Sequence, residues 1–243
     1  MVLYTADAEC GNAGLPLGCV RTPTTEASIR SLIDLAIAET NTAYSLLGVN
    51  VVLNLVHAAY DDYVETDDTG TTLHALSAKP AVQTLRQAYG ADVVSMIVVR
   101  GQYCGMAYLG PSLGSMYSVS YYPCATGYYT FGHEIGHNFG LIHDWGSENE
   151  CTNDGYNYGF RDPQAEFRSI LAYDCKANQC TGNPLPGGAP CTRVQRFSNT
   201  YALYNGKPIG DANNNSARRI NDVAAEVSNY FISTPTLSPT LFP

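Results

Sequence analysis

Residues 133–144, His-Glu-Ile-Gly-His-Asn-Phe-Gly-Leu-Ile-His-Asp, constrain this chain more than any other stretch, because their spacing suits a single metal ion. On a helix, residues four apart lie about 40° apart around the axis and roughly 6 Å along it, so His133 and His137 can face one ion. Glu134 stands about 100° round from His133. Its carboxylate therefore sits beside the ion rather than on it, where it can take a proton from an attacking water. Gly140 can end the helix in the left-handed conformation without steric penalty, and the chain then turns so that His143 returns as a third ligand. Three histidines with a fourth position left to water make the donor set of a catalytic zinc ion. A bare HExxH is a weak signal, and a buried helical histidine is more often a satisfied core residue; Gly140 and His143 at fixed offsets make the extended pattern far more specific.

At these residues the chain resembles the metzincin clan of zinc metallopeptidases, whose HExxHxxGxxH signature is matched at every fixed position. Asp144, directly after the third histidine, is the choice of the reprolysin-like (adamalysin-type) branch. Residues 51–60, the run Tyr103-Cys104-Gly105-Met106-Ala107-Tyr108 and residues 168–175 are also similar to secreted bacterial and algal reprolysin-like and peptidyl-Asp metallopeptidases, so the likeness covers about residues 1–232. The resemblance implies a secreted zinc endopeptidase in which His133, His137 and His143 hold Zn²⁺ and Glu134 acts as base and then acid. It also implies a protein or peptide substrate lying extended along an antiparallel edge strand, for which residues 105–109 are the match.

One departure stands out. Metzincins carry a methionine in a tight turn below the metal, and here the stretch is Ser169-Ile170-Leu171-Ala172-Tyr173, with leucine in its place. Met1, Met96, Met106 and Met116 all precede the helix, so none can substitute. Tyr173 matches a tyrosine that swings near the metal in astacins and serralysins; a donor to the oxyanion and a plain packing residue are both open readings. Arg168, beside this turn, is by resemblance to the peptidyl-Asp peptidases a candidate for favouring acidic side chains in the primed pocket. Leu171 motivates an alternative, a non-catalytic binding or adhesion module. Intact Glu134 speaks against it, since a fold drifting away from catalysis is free to lose the base.

Composition bounds the partners. The chain has 243 residues, 45% of them hydrophobic, enough to bury a full core. Lys plus Arg number 13 and Asp plus Glu 22, a net charge of 13 − 22 = −9 that argues against nucleic acid or an anionic membrane. No stretch of apolar residues is long enough to span a bilayer. Eight cysteines outside any CxxC pattern predict four disulfides and an oxidising, extracellular setting. Residues 1–7 have neither a basic nor an apolar leader character, so they read as the start of a mature chain. Residues 234–243, rich in Pro and Thr, read as a linker outside a single monomeric domain of residues 1–233, with an upper subdomain 1–140 and a lower one 141–233.

Along the chain, residues 2–5 predict a first strand, and Cys10 and Cys19 bracket a loop closed by a small disulfide. Apolar residues from Ile29 to Leu47 at helical spacing, behind a cap at Thr24 or Thr25, predict a long core-facing helix. Residues 49–56 read as a buried strand, 73–89 as a second helix broken at Pro80, 93–99 as a third strand and 116–122 as the last. The zinc-binding helix is expected to begin at 128–130. Ile220, Val223, Ala224 and Val227 predict an amphipathic closing helix, with the sequon at Asn214 near its cap. Helices alternating with buried strands predict an α/β fold with a mostly parallel sheet, five-stranded with an antiparallel edge if metzincin-like. Cys104 and Cys124 would tie that edge to the strand before the zinc-binding helix. Residues 144–216 read as an irregular lower part ordered by disulfides, guessed as Cys151 with Cys175 and Cys180 with Cys191. Calcium at Asp61, Asp62, Glu65, Asp67 and Asp68 is weaker than a solvated loop, and His57 and His74 lack ligand spacing.

Overall fold

Side-chain alternation along β1 (Val2–Tyr4) sets the layers: Val2 and Tyr4 enter one apolar cluster, and Leu3 enters a second on the opposite face. A computed structural model describes residues 1–147, 155–175 and 190–231. The Pro/Thr-rich tail, Cys151 and Cys180 lie outside the described residues.

Five strands form one sheet in the order β2-β1-β3-β5-β4, with β2 (Ala58–Tyr60), β3 (Val94–Val98), β4 (Gly105–Ala107) and β5 (Tyr117–Tyr121). All neighbours are parallel except β4, which runs antiparallel to β5 at the sheet edge. On one face lie α2 (Pro23–Ser45) and α6 (Thr130–Asn138), which contribute Ile29, Ile33, Phe131 and Ile135 to the larger cluster. Helices α3 (Thr69–Ala78) and α4 (Pro80–Tyr89) cover the other face through Leu73, Leu76 and Val82. Pro80 starts α4 afresh, as its missing N–H allows only in a first turn. Two short helices, α1 (Ala6–Asn12) and α5 (Tyr122–Ala125), follow β1 and β5, and Cys10–Cys19 closes the loop after α1. Among the described residues no helix is long and apolar enough to cross a membrane.

The sheet and helix expectations hold with two shifts. α2 begins earlier than expected, because Thr22 and Thr25 exchange capping hydrogen bonds around Pro23. Residues 49–56 are not a strand. β1 pairs Val2 with Ala58, so no strand lies opposite them, and the Asn41 side chain instead bonds both the N–H and the C=O of Leu53. Val52 is accordingly 68% exposed.

Beyond α6 the chain carries two small sheets that hydrophobic periodicity did not reveal: β6 (Phe167–Arg168) parallel to β7 (Thr192–Arg193), and β8 (Asn199–Tyr204) antiparallel to β9 (Lys207–Ile209). The guessed pairing of the late cysteines is corrected, because Cys175 bonds Cys191, with Cα atoms 5.5 Å apart. Cys104–Cys124 forms as expected and ties the start of β4 to α5. The closing helix α7 (Ser216–Val227) is capped by Asn215, while the amide nitrogen of Asn214 is buried and donates to the Gly159 carbonyl, away from solvent.

Asn138, the last residue of α6, fixes that helix to the sheet edge. Its side-chain nitrogen lies within hydrogen-bond distance of the carbonyls of Tyr108 (3.0 Å), Ser115 (2.8 Å) and Tyr117 (2.9 Å). Replacing Asn138 with Ala leaves these buried acceptors short of a donor and is expected to lower unfolding stability by about 2–3 kcal/mol in denaturant titration. A loss below about 0.5 kcal/mol would mean that water replaces the amide.

Candidate active site

Helix α6 carries His133 and His137 one turn apart and stops at Phe139. Gly140 follows with φ of +81°, and a Cβ there would come within 2.6 Å of the Gly110 carbonyl oxygen, so only glycine fits both the dihedral and the space. The turn closes through Gly140 N–H to His137 O and Leu141 N–H to Gly136 O. Asn157 then holds the Gly140 carbonyl, and Gly159 N–H reaches the carbonyls of Ile142 and His143, which returns His143 to the helix.

The three imidazoles converge. His137 Nε2 lies 3.1 Å from His133 Nε2 and 3.1 Å from His143 Nε2. Among the described residues this trio is the one group of His, Cys, Asp and Glu side chains arranged to hold a metal. His133 Nδ1 faces the Ile170 carbonyl at 2.8 Å, and His137 Nδ1 faces the Leu141 carbonyl at 2.8 Å. A carbonyl can only accept, so each Nδ1 donates and each Nε2 presents a lone pair to the common centre. Neutral imidazoles suit zinc, and burial with the neighbouring His137 holds the His133 pKa well below its usual value. The donor set fits Zn²⁺ with an open fourth position.

Glu134 is buried beside this centre, under the edge strand. A Cβ on Gly105 would stand 2.6 Å from Glu134 Oε1, so the first residue of β4 must be glycine for the carboxylate to occupy its place. Burial pushes the Glu134 carboxyl up to about 8, with Arg193 partly offsetting it.

Leu171 occupies the floor. It is fully buried, and its Cδ2 would stand 3.0 Å from a Cβ on Gly136, directly beneath the ligand-bearing helix. The turn around it is intact, with Ala172 N–H bonded to Ser169 O. Tyr173, 40% exposed, stacks on His143 at 4.0 Å between ring centroids, and its N–H bonds Asp144 Oδ2. Asp144 in turn pairs with Arg161 at 2.9 Å, both fully buried, and accepts from Ser147. Asp144 thus couples the chain after the third histidine to the turn beneath the site.

A cleft of about 810 Å³ opens over the histidines, walled by β4 on one side and by Tyr128, Arg168, Tyr173 and Arg193 on the other. Arg168 is there as expected, with three of its five N–H donors taken by the carbonyls of Cys191 and Ala172 and by the Tyr128 hydroxyl. Arg193 went unnoticed in the sequence; the short β6–β7 pairing that brings it to the cleft has no periodic signature. The acidic residues considered for calcium are dispersed. Asp61 and Asp62 hold Lys79, Glu65 accepts from the N–H groups of Val99 and Arg100, and Asp68 caps α3. His57 stacks on Tyr89, and His74 is exposed.

Fold and site together have the arrangement that the resemblance to metzincins implies: three converging histidines and a buried glutamate beside an antiparallel edge strand. Residues 31–144, just under half of the chain, match the reprolysin-like metallopeptidase family M12B. Over 199 residues, 79% of this chain, it is 32% identical to a peptidyl-Asp metalloendopeptidase of Xanthomonas campestris pv. campestris, of which it covers 45%. A peptidyl-Asp metalloendopeptidase of Stenotrophomonas maltophilia is 31% identical over 202 residues, 79% of this chain and 46% of the relative. The chain thus spans about half the length of the curated relatives it matches. A chain in the solved "Structure of a chaperone-substrate complex" shares the fold, with a TM-score of 0.67 and 16% identity over 95% of this chain and 34% of the other.

The raised Glu134 carboxyl gives a pH test on metal-free protein. Its folded pKa of about 8 exceeds the ordinary 4.5, so its contribution to stability is present below about pH 4.5 and is lost as pH rises to 8. Glu134→Gln removes that loss, and the His133 contribution is common to both proteins. Thermal unfolding in chelator should therefore show the variant gaining on the parent as pH rises from 5 to 8; a gain largest at pH 5 would contradict the assignment.

Proposed function

We propose that this domain, residues 1–233, is a secreted, monomeric zinc endopeptidase that cleaves peptide chains beside acidic side chains. The observation that carries the proposal is the convergence of three Nε2 atoms and the buried Glu134 in one cleft walled by an edge strand. His133, His137 and His143 would hold the zinc, which when bound lowers the pKa of water toward about 7 and polarises the scissile carbonyl. Glu134 would take the proton of the attacking water and deliver it to the leaving amine. β4, last in the sheet, would orient the substrate backbone by strand addition. The Tyr173 phenol, whose ring stacks on His143 in the cleft lining, would donate to the oxyanion. Acidic preference is supported by the name of the relatives and by two arginines in the cleft wall. Disulfides support an oxidising compartment. Zinc is the one metal in this reading; the acidic residues considered for calcium serve other protein groups. A non-catalytic module is disfavoured because Leu171 fills the floor without breaking the turn.

Glu134→Gln should keep stoichiometric zinc and lower peptide hydrolysis by about 100-fold or more, while His143→Ala should lose the metal. Zinc lost from the first, or retained at full stoichiometry by the second, overturns the role assignment. Gly105→Ala is expected to retain zinc and lower the turnover number by about tenfold or more, since the added methyl displaces the base; parental turnover would show that the edge strand yields instead. Leu171→Met should change zinc affinity and activity less than about tenfold, because the two side chains are near in volume. A large simultaneous rescue of zinc and hydrolysis by that change would favour the non-catalytic module.

A further inference from the structure

The zinc chemistry does not need the feature that dominates the far wall of the cleft. β6 and β7 run parallel in a register that sets Arg168 opposite Arg193, and both arginines line the cleft. Like charges in register repel unless something offsets them. Among the described residues neither arginine forms an ion pair, although the charge of the buried Glu134 favours the Arg193 cation. The cost is visible in the Arg193 guanidinium, which burial and the neighbouring Arg168 bring down to about 10.

The two arginines differ in what they have left to offer. Arg168 donates from Nε to the Cys191 carbonyl at 3.3 Å, from Nη1 to the Ala172 carbonyl at 2.6 Å and from Nη2 to the Tyr128 hydroxyl at 3.0 Å. Arg193 donates from Nη1 to the Tyr128 carbonyl at 3.1 Å and lies over the Tyr128 ring, 4.3 Å from its centroid. Its Nε is buried with no partner. Thr130, two residues beyond Tyr128 and 2% exposed, also lines the cleft and has a buried hydroxyl with no partner. Buried donors left unmade are costly, and a carboxylate, with two accepting oxygens and a negative charge, is the group that relieves an arginine and a hydroxyl together.

We propose that Arg193 and Thr130 form a carboxylate-binding subsite of the cleft, Arg193 Nε and Thr130 Oγ1 being the donors, with Tyr128 steadying the guanidinium and Arg168 adding positive field without touching the ligand. The ligand is the side-chain carboxylate of a peptide substrate, a role that rests on the endopeptidase activity and acidic preference proposed above.

The test compares two quenched-fluorescence peptides that differ only by Asp or the isosteric Asn at the position the zinc-loaded wild type prefers. Arg193→Gln should lower the Asp-to-Asn ratio of kcat/KM by about 30-fold or more, the scale expected for removing one partner of a desolvated charge pair. Arg193→Lys should restore part of the ratio, and Thr130→Val should lower it by about fivefold, the scale of one net hydrogen bond. A merely structural role would depress both peptides alike and leave the ratio untouched. A wild-type ratio in a folded Arg193→Gln variant overturns the subsite while the endopeptidase reading stands; if that variant does not fold, an unchanged ratio in Thr130→Val does the same. A wild type that cleaves without distinguishing Asp from Asn overturns both the acidic preference and the subsite. Should no peptide be cleaved, the endopeptidase reading fails, and calorimetric binding of the same two peptides to wild type and variants decides the subsite by the same ratio.

Discussion

The hydrogen bond from His133 Nδ1 to the Ile170 carbonyl joins the two halves of the molecule at the point where everything else must agree. A ligand imidazole aimed by its helix alone would be free to rotate about χ1 and χ2, and the wrong tautomer would turn a proton toward the metal. A carbonyl behind Nδ1 removes both freedoms. That carbonyl belongs to the turn beneath the helix, so the turn must be held as rigidly as the helix is. Ser169 bonds Phe160, Ile170 bonds Arg196, and the buried Asp144–Arg161 pair takes the N–H of Tyr173. The lower part of the chain, with few apolar runs of its own, is organised as the support for one carbonyl oxygen.

Within this scheme the leucine at 171 loses its significance as a departure. The side chain packs against Gly136 under the helix, where leucine and methionine are near in volume. The glycines at 105, 136 and 140 matter more. At 105 and 140 the Glu134 carboxylate and the Gly110 carbonyl come too close for a Cβ, and at 136 the Leu171 methyl leaves only a tight fit for one. The geometry of the site is therefore built by close backbone approach as much as by the side chains that line it.

Most of the upper half was legible in the sequence because its signals are local. Ligands four residues apart, a glycine at a helix end and β-branched runs between amphipathic helices each follow from a few neighbouring residues. The segment 49–56 misled because β-branched residues mark extended backbone, whereas a strand also needs a partner; Asn41 supplied the hydrogen bonds instead. Cys175–Cys191 could not be read because cysteine spacing does not determine connectivity. Arg193 was invisible for a related reason, since a two-residue parallel bridge to Arg168 leaves no periodicity, and its exposure of charge to the cleft arises only in three dimensions.

The claim on which the site depends is that the three imidazoles converge on one metal ion through their Nε2 atoms. X-ray absorption at the zinc edge of the loaded protein measures this most directly. Three imidazole nitrogens and one further light atom at about 2.0–2.1 Å are the predicted first shell. A sulfur ligand, or fewer than three imidazoles, would contradict it.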